Sequence, residues 1–244
     1  MTTPIDGSQL TGSQREKYVT QLFNDVAGPY DKLNRIISLG RDPIWRRKAL
    51  RFAGVQPGMN AADLGTGTGD FYLLLKHCVG PTGTVAGVDI ADNMLAVARQ
   101  KAEAAFPDDE HDLRIGSAAE SGLPDESMDL VTMGWVLRNV GDRAAVYREV
   151  QRILKPSGKF LCVDMSHPDF PPLRWGAACY MRFAMPLMVR LCGGDMDAYR
   201  YLAKSTARFP GKSQLAEEFR EAVFADAKVQ SFMLGQIAAH LAEK

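Results

Sequence analysis

The spacing of apolar residues divides this chain into a short helical part and a longer part in which strands and helices alternate. Apolar residues recur at helical spacing after Ser13, a suitable N-cap, and predict a helix over 14–26. The pattern predicts further helices over 29–37 and 43–52. Residues 1–12 show no such pattern, and we expect them to be flexible.

Nearly continuous apolar runs alternate with amphipathic helical segments in the middle of the chain. Such runs are typical of parallel strands covered on both faces, because every side chain of the strand is then buried. The alternation predicts βαβ units with a ligand site at the carboxyl ends of the strands. The predicted strands are a run ending at Leu64, 84–89, 111–116, 128–135 and 159–165, and the predicted helices are 70–78, 92–105 and 143–154.

After residue 165 the chain becomes mainly helical. An apolar segment from Trp175 to Cys192 carries three methionines, but Arg182, Pro186 and Arg190 make it a poor candidate for a membrane span. We interpret it as a helix that covers the core and also walls an apolar substrate cavity, for which adaptable methionines are suited. Helices over 197–209 and 214–224 and a strand pair over 229–234 and 236–242 complete the prediction.

The composition is typical of a soluble α/β protein. The 244 residues are 46% hydrophobic, which is enough for one sizeable core, and 29 basic residues balance 29 acidic ones. A nucleic-acid-binding protein usually has a basic surplus, so we expect no nucleic-acid partner. The cysteines lack C-x-x-C spacing and no histidine pair has metal-ligand spacing, so we expect no metal site. The polar start lacks the apolar core of a signal peptide, and we expect a cytoplasmic protein.

The segment ADLGTGTG, from Ala62 to Gly69, carries the clearest chemical signal. An apolar run contains the acid Asp63 near its end, and glycines then occupy every second position, which indicates a strand, a tight turn and a helix start. The next apolar run, TVAGVDI, ends around Asp89. Glycines let a ligand approach the backbone and a carboxylate accepts hydrogen bonds from ribose hydroxyls, so the pair predicts a nucleoside site.

Acidic residues around this turn distinguish between nucleoside cofactors. A dinucleotide-binding turn has glycine at its sixth motif position, where this chain has Asp70. Asp63 and Asp70 would repel a pyrophosphate but suit the ammonium and sulfonium groups of S-adenosylmethionine. We therefore predict S-adenosylmethionine as the cofactor, with a hydride-transferring dehydrogenase as the disfavoured alternative.

Four further segments carry a family signature. They are YDKLNRIISLGRDPIW at 30–45, LRNVGD at 137–142, RILKPSGKFLCVDMS at 152–166 and YRYLAKS at 199–205. These segments resemble the ubiquinone/menaquinone biosynthesis C-methyltransferases (the UbiE family), and the likeness covers nearly the whole chain after residue 15. The glycine-rich turn alone would indicate only a methyltransferase that uses S-adenosylmethionine.

The resemblance implies the α/β fold of class I methyltransferases: a Rossmann-like, seven-stranded, mostly parallel sheet with a helical amino-terminal lid and a helical insertion after the fifth strand. We expect one domain over 1–244, with the lid at 13–52, the cofactor-binding core at 53–166, and substrate-side helices with a terminal strand pair at 167–244. The resemblance also implies C-methylation of a polyprenylated quinol in quinone biosynthesis, so the expected partner is a lipophilic small molecule. Peripheral membrane contact and a homodimer stay open.

The turn and the resemblance together give the expected cofactor contacts. In this family Met94 packs on the adenine, and Tyr30 and Asp31 lie in the lid, where they contact the cofactor or close its cavity. Ala118 stands where a polar residue commonly binds the adenine amino group, so backbone groups near Ala118 and Ala119 are expected to replace it. The predicted cofactor-binding residues are Tyr30, Asp63, Gly65, Thr66, Gly67, Gly69, Asp89, Ile90, Met94, Ala118 and Ala119.

Methylation of a ring carbon needs an acceptor whose neighbouring hydroxyl has lost its proton, held near a cation or hydrogen-bond donor. Arg138, just after the fourth strand, is the candidate anchor, and the alternative is an ion pair with a carboxylate at the sheet end. Asp164 is a candidate base and Tyr201 a candidate acceptor contact. His240 is either a proton acceptor or structural, and Asn139 either orients substrate or caps the turn before the next helix.

Two other functions stay open at this point. The same fold and cofactor serve O- or N-methyltransferases of lipids or secondary metabolites, and Val136 and Met233 differ from the family pattern on the inferred substrate side. The other is a non-catalytic subunit that binds S-adenosylmethionine, which Ala118 favours and which Asp63 and Asp89 oppose.

Overall fold

A seven-stranded sheet forms the centre of the protein, of which a computed structural model describes residues 7–191, 195–222 and 224–244. The strands are β1 (Asn60–Leu64), β2 (Thr84–Asp89), β3 (Asp112–Ile115), β4 (Met128–Gly134), β5 (Leu154–Met165), β6 (Ala225–Phe232) and β7 (Ile237–Glu243). Their order is β3-β2-β1-β4-β5-β7-β6. β1 to β5 are parallel, and β7 is antiparallel to both of its neighbours. This arrangement confirms the predicted Rossmann-like, mostly parallel sheet.

Helices cover both faces of the sheet, which explains the nearly continuous apolar runs of its strands. Phe160 and Leu161 of β5 belong to different buried clusters, since neighbouring side chains of a strand point to opposite faces. Phe219 packs in the first cluster and Phe71 in the second. The helices are α1 (Gly12–Val26), α2 (Tyr30–Ile37), α3 (Asp42–Ala53), α4 (Asp70–Val79), α5 (Asp92–Ala105), α6 (Arg143–Ile153), α7 (Pro171–Cys179), α8 (Met185–Leu191), α9 (Met196–Arg208) and α10 (Lys212–Glu221).

The first helix begins one position before the predicted N-cap. α1 starts at Gly12, so Ser13 lies inside its first turn, and Thr11 stands at the cap position without a side-chain capping bond. A Cβ built on Gly141 would lie 2.8 Å from the backbone nitrogen of Gly12, which indicates close packing of these two backbones. Tertiary packing therefore decides where the helix begins, and the local cap signal at Ser13 was wrong. Part of the segment expected to be flexible, 1–6, lies outside the described residues.

The apolar segment after β5 does not form one continuous helix. α7 ends at Cys179, a π-helical turn covers Tyr180–Ala184, and α8 begins at Met185. Pro186 has no N–H to donate to the preceding turn, so the regular hydrogen-bond pattern cannot continue there. The predicted end of the segment, Cys192, lies outside the described residues. A helix with the length and apolarity to cross a membrane does not occur in the described ranges.

The last helix is shorter than its predicted end at residue 224. α10 ends at Glu221, and Phe224 is buried in the core, where its ring stacks on Phe160 at 5.6 Å between centroids. Burial of this ring directs the chain away from the helix axis and into β6, so packing overrides the helical pattern. Position 223 lies outside the described residues.

Gly87→Ala tests how closely β2 is packed. A Cβ at Gly87 would lie 2.6 Å from Cδ2 of Leu113 and 3.1 Å from Cδ2 of Tyr72, so the buried neighbours must move. We expect the free energy of unfolding to fall by about 1–3 kcal/mol, measured by urea denaturation. The control is Gly176→Ala in α7, where a Cβ meets nothing within 4 Å and where alanine favours the helix. Equal stability of the two variants would contradict the packing.

Candidate active site

A cavity of about 260 Å³ lies at the carboxyl ends of β1, β2 and β4, beneath α1 and Tyr30. Its acidic residues are Glu16, Asp89 and Asp142, and its described lining contains no lysine, arginine or histidine. This excess of negative charge suits a cationic ligand and disfavours a pyrophosphate. The lining also includes Ser13, Val19, Phe23, Gly65, Gly67, Ile90, Met94, Ser117, Ala118, Ala119, Trp135, Val136 and Asn139.

The glycine-rich turn brings its backbone to this cavity. Gly65 and Gly67 have φ values of 72° and 55°, a region that favours glycine. A Cβ on Gly65 would lie 2.3 Å from Cγ2 of Val136, so any side chain there would displace its neighbour. A Cβ on Gly67 would meet nothing within 4 Å. The backbone at Gly67 is therefore open to a ligand.

Asp89 holds the turn in place and also lines the cavity. Its Oδ2 accepts a hydrogen bond from the Gly67 N–H at 2.7 Å, and its Oδ1 accepts one from the Ala91 N–H at 2.9 Å. Burial raises the pKa of Asp89, and these backbone N–H groups oppose the rise. Since each carboxylate oxygen can accept a second hydrogen bond, Asp89 can support the turn and bind a hydroxyl at the same time.

Asp63 lies beneath the turn, outside the described lining of the cavity. It is 1% exposed, and its carboxylate accepts hydrogen bonds from Oγ1 of Thr66 at 2.8 Å and Oγ1 of Thr132 at 2.7 Å. Burial raises the pKa of Asp63 to about 6. Thr66 thus stabilises Asp63 by its hydrogen bond. Gly69 allows α4 to pack closely on α5, because a Cβ at Gly69 would lie 3.1 Å from Cβ of Ala98. The structure therefore places Asp63, Thr66 and Gly69 in the frame of the site.

Asp70, which we expected to attract the cation of the cofactor, is paired within the protein and is not among the described residues of the cavity lining. Its Oδ1 accepts a hydrogen bond from Nζ of Lys101 at 2.5 Å, and its Oδ2 lies 3.8 Å from Nη2 of Arg46. Burial alone would raise the pKa of Asp70, but Arg46 and Lys101 lower it overall. Its charge is compensated within the protein. Lys101 is distant in the chain, so the sequence contained no signal for this pairing.

Asp31 connects the lid to the glycine-rich turn. Its Oδ1 accepts a hydrogen bond from Oγ1 of Thr68 at 2.6 Å, and its Oδ2 accepts one from Nζ of Lys101 at 2.9 Å. Lys101 therefore joins Asp31 of α2 to Asp70 of α4. Because Tyr30 precedes Asp31 and lines the cavity, this connection holds the lid over the site.

Met94 belongs to a small apolar cluster that joins α5 to the lid. It is 1% exposed and shares this cluster with Val26, Phe23 and Tyr30. The rings of Phe23 and Tyr30 meet edge to face, with centroids 6.0 Å apart. This cluster gives the cavity an apolar wall, which suits a flat aromatic ligand such as a nucleobase.

A second cavity of about 100 Å³ adjoins the first and shares Tyr30 and Trp135 with it. Its wall is mostly apolar and includes Met181 and Met185 from the segment after β5. Arg138 also lines it. A mainly apolar cavity whose wall carries the guanidinium groups of Arg46 and Arg138 can hold a lipophilic molecule with an anionic oxygen.

Arg138 forms the ion pair that was the alternative to its anchoring role, and it lines the second cavity as well. Its Nη1 donates to Oδ1 of Asp164 at 2.9 Å, and its backbone N–H donates to Oδ2 at 3.1 Å. Asp164 also accepts from the Met165 N–H at 2.7 Å. Nη1 of Arg138 further donates to the Trp135 carbonyl at 2.6 Å. Asp164 thus holds the guanidinium in one orientation.

Tyr201 and His240 are not among the described residues that line either cavity. Burial raises the pKa of Tyr201, whose ring lies 5.5 Å from that of Tyr18. His240 is 2% exposed, its Nε2 is 2.8 Å from the Lys212 carbonyl oxygen, and burial lowers its pKa. The structure therefore does not bring His240 to the acceptor side.

Asn139 lines the first cavity but does not cap the helix that follows it. Its Nδ2 donates to the Trp135 carbonyl at 3.1 Å, whereas Asp142 caps α6 by accepting from the Ala145 N–H at 3.1 Å. The capping interpretation of Asn139 was therefore wrong, because Asn139 is the last residue of a short 3₁₀ helix, Leu137–Asn139, and α6 begins only after Asp142.

Trp135 and Arg46 are site residues that the sequence did not reveal. Trp135 directly follows β4 with φ of 60° and lines both cavities. The Arg46 guanidinium lies 4.4 Å from the Trp135 ring centroid and 4.9 Å from that of Phe71, and its Nε donates to Oδ2 of Asp42 at 2.8 Å. The place of Trp135 at the end of a strand was an available signal. No local signal pointed to Arg46.

Asp31→Ala tests the connection between lid and turn. Loss of the two hydrogen bonds should let α2 open more often. We expect amide exchange in α2 to become about fivefold faster, since partly buried charged contacts of this kind contribute about 1 kcal/mol. Hydrogen exchange read by mass spectrometry measures this. Asp25→Ala is the control, because Asp25 is exposed on α1 and accepts a bond from Gln21 of the same helix. Equal amide exchange of α2 in the two variants would contradict the proposed link between the lid and the turn.

Comparison with known proteins agrees with this geometry. The model of the ubiE/COQ5 methyltransferase family matches residues 11–244. The chain is 38% identical to demethylmenaquinone methyltransferases of Staphylococcus aureus strains over 229 residues, which are 94% of each chain. It shares its fold with a SAM-dependent methyltransferase from Thermotoga maritima, with TM-score 0.66, 18% identity and coverage of 92% of this chain and 99% of that one. A SAM-dependent methyltransferase from Aquifex aeolicus gives TM-score 0.62, 17% identity and coverage of 87% and 97%. This chain belongs to the ubiE/COQ5 methyltransferase family.

Proposed function

We propose that this protein transfers the methyl group of S-adenosylmethionine to a ring carbon of a polyprenylated quinol. The observation that carries the proposal is the pair of adjoining cavities that share Tyr30 and Trp135. One has an acidic lining next to a glycine-rich turn, and the other is apolar with Arg138 in its wall. A methyl donor and a lipophilic acceptor placed in them would meet at the shared residues.

The residues of the first cavity fit S-adenosylmethionine. Asp89 would accept hydrogen bonds from the ribose hydroxyls through its remaining lone pairs, and the backbone at Gly67 would lie against the nucleoside. Met94 and Ile90 would pack on the adenine, while backbone groups at 117–119 replace the side chain that Ala118 lacks. The bound cofactor supplies a methyl group on a positively charged sulfur, which the acidic lining attracts.

The second cavity fits a quinol whose hydroxyl has lost its proton. Arg138 would stabilise the resulting phenolate oxygen, and negative charge would spread from that oxygen into the ring. The ring carbon would then be the nucleophile that takes the methyl group, and the main contribution of the protein would be alignment of the two molecules. Transfer would leave S-adenosylhomocysteine, and the ring carbon would release its proton to solvent, which restores the aromatic ring.

Asp164 acts through Arg138 in this proposal. Its carboxylate accepts hydrogen bonds from Nη1 of Arg138 and from the backbone N–H groups of Arg138 and Met165. Asp164 therefore fixes the position of the guanidinium and places a carboxylate close to the site. We assign Asp164 as a positioning residue, and Tyr201 packs against the ring of Tyr18 outside the described lining of both cavities. His240 takes no part, because it bonds to the Lys212 carbonyl outside both cavities.

Incubation of the purified protein with labelled S-adenosylmethionine and a panel of acceptors tests the proposed reaction. The panel contains demethylated benzoquinols and naphthoquinols with prenyl tails, simple phenols and amines. We expect a methyl group on a quinol ring carbon, located by NMR of the product. Methylation at oxygen or nitrogen would support the alternative methyltransferases, and cofactor binding without transfer would indicate a non-catalytic subunit. Either result would overturn the proposal.

Asp89→Ala should weaken the binding of S-adenosylmethionine by roughly 1–3 kcal/mol, the scale for the loss of charged hydrogen bonds. Isothermal titration calorimetry measures the change. Asp92→Ala is the control, since Asp92 is an exposed residue of the α5 first turn outside the described lining, and its effect should stay within about 0.5 kcal/mol. Unchanged affinity of Asp89→Ala would refute the ribose assignment.

Arg138→Ala should lower kcat about 10²–10³-fold, while the affinity for S-adenosylmethionine changes little. Since the change leaves Asp164 buried without its partner, circular dichroism checks the fold, and Asp164→Asn in the Arg138→Ala background removes the isolated charge. Arg138→Lys keeps the positive charge and should retain more activity than Arg138→Ala. Equal losses of turnover and cofactor affinity would count against the acceptor role.

A further inference from the structure

The outer side of α8 and the end of α7 expose large apolar side chains. Trp175 is 74% exposed, Phe183 67%, Leu187 59% and Leu191 77%. Leu187 and Leu191 are four residues apart in α8, and Phe183 stands four residues before Leu187 in the preceding π-helical turn. We call these three residues and Trp175 the outer apolar face. Large apolar side chains exposed close together in the chain indicate an interaction site.

The inner side of the same segment is buried against the protein. Met185 and Val189 are 3% and 0% exposed, and Met185 and Met181 line the second cavity. The Tyr180 hydroxyl donates to the Ile37 carbonyl at 3.3 Å, which links the segment to the end of α2. Only one layer of helix therefore separates the outer apolar face from the cavity that we assign to the acceptor.

The positive charge of the segment 171–191 indicates which kind of partner it binds. Residues 171–191 contain Arg174, Arg182 and Arg190 and no aspartate or glutamate. The Arg182 guanidinium lies 5.9 Å from the centroid of the Phe183 ring, so a cation stands directly beside the apolar side chains. Basic residues beside exposed aromatic and aliphatic ones are typical of helices that lie on anionic lipid. In a second copy of this chain the same arginines would face each other, which disfavours self-association through this face.

Two more exposed leucines border the second cavity. Leu39 is 64% exposed and Leu234 is 73% exposed, and they directly follow the lining residues Ser38 and Met233. Both leucines have positive φ, 52° and 56°, which is uncommon for a non-glycine residue. An apolar phase beside the second cavity would remove both exposed side chains from water.

We propose that the outer apolar face docks on an anionic lipid bilayer and that the acceptor enters the second cavity from that bilayer. The docking itself does not depend on the proposed function. The entry of the acceptor from the bilayer rests on that function, because it assumes a lipophilic acceptor. Since no described helix can cross a membrane, the segment lies in the surface layer of the lipid with its arginines at the phosphates.

Flotation of the full chain with vesicles tests the docking. Vesicles of phosphatidylcholine mixed with phosphatidylglycerol should carry the protein upward, and vesicles of phosphatidylcholine alone should carry much less. The combined change Phe183→Ser, Leu187→Ser and Leu191→Ser should weaken binding to the mixed vesicles at least about tenfold. Arg182→Gln should weaken it about fivefold, with Arg148→Gln on exposed α6 as the matched charge control. Ile115→Ser, at a residue that is 63% exposed on β3, is the matched apolar control.

The fluorescence emission of Trp175 provides an independent test of the docking. Of the three tryptophans it is the most exposed, since Trp45 is buried and Trp135 is partly buried. Mixed vesicles should shift its emission to shorter wavelength, and Trp175→Phe should abolish that shift. Calorimetry with S-adenosylmethionine checks that each variant still folds, and analytical ultracentrifugation gives its oligomeric state.

Three outcomes would overturn the docking: absence of vesicle binding by the unchanged chain, equal binding by the serine variant, or a dimer that the serine variant dissociates. The last would identify the face as a contact between copies. The proposed reaction is tested separately. If the chain binds mixed vesicles but methylates no quinol, docking stands and the proposed function fails. If it methylates a quinol with a short soluble tail but does not bind vesicles, docking fails and the function stands.

Discussion

The hydrogen bond between the Asp89 carboxylate and the Gly67 N–H joins the two features that the site depends on. It ties the turn after β1 to the end of β2, so that the bare backbone of Gly67 and the carboxylate face one cavity. The parallel sheet makes this contact available, because the carboxyl ends of adjacent strands meet at the same edge. A side chain at Gly65 would collide with Val136, which follows β4, so the end of β4 also constrains the turn.

The distribution of charge around the turn differs from what acidic residues alone would indicate. Lys101 bridges Asp31 and Asp70, and Arg46 adds a second cation, so these carboxylates stabilise the frame and the lid. The acids that line the cavity are instead Asp89, Glu16 of the lid and Asp142. A cationic methyl donor would thus be attracted by the lining and not by the most conspicuous acids of the motif.

The segment after β5 has a different task on each side. Its inner methionines line a cavity together with Arg138, which Asp164 orients, so mostly apolar walls are combined with cationic side chains. Its outer side carries apolar side chains and arginines to the surface. A lipophilic acceptor poses one physical problem, transfer of an apolar molecule without exposure to water. In our proposals the inner side meets this problem by lining the cavity and the outer side meets it by docking on lipid. The π-helical turn Tyr180–Ala184 interrupts the segment where Tyr180 and Met181 line the cavity.

Local sequence determined the secondary structure most closely where apolar runs alternate. β2 and α5 have their predicted bounds, because buried strands and amphipathic helices leave periodic patterns that neighbours do not alter. Where a distant contact competes with the local signal, the prediction failed. The start of α1 depends on packing against Gly141, and the end of α10 depends on burial of Phe224.

The sequence by itself also determined the kind of ligand site, since glycines after a strand and an acid after the next one must converge at a sheet edge. Tertiary structure alone decided the role of each acid. Whether Asp70 faces a ligand or a lysine depends on Lys101, which reaches it from another helix, and whether Arg138 is anchored depends on Asp164 of a neighbouring strand. Such pairings arise from the approach of residues far apart in the chain, and no local pattern records them.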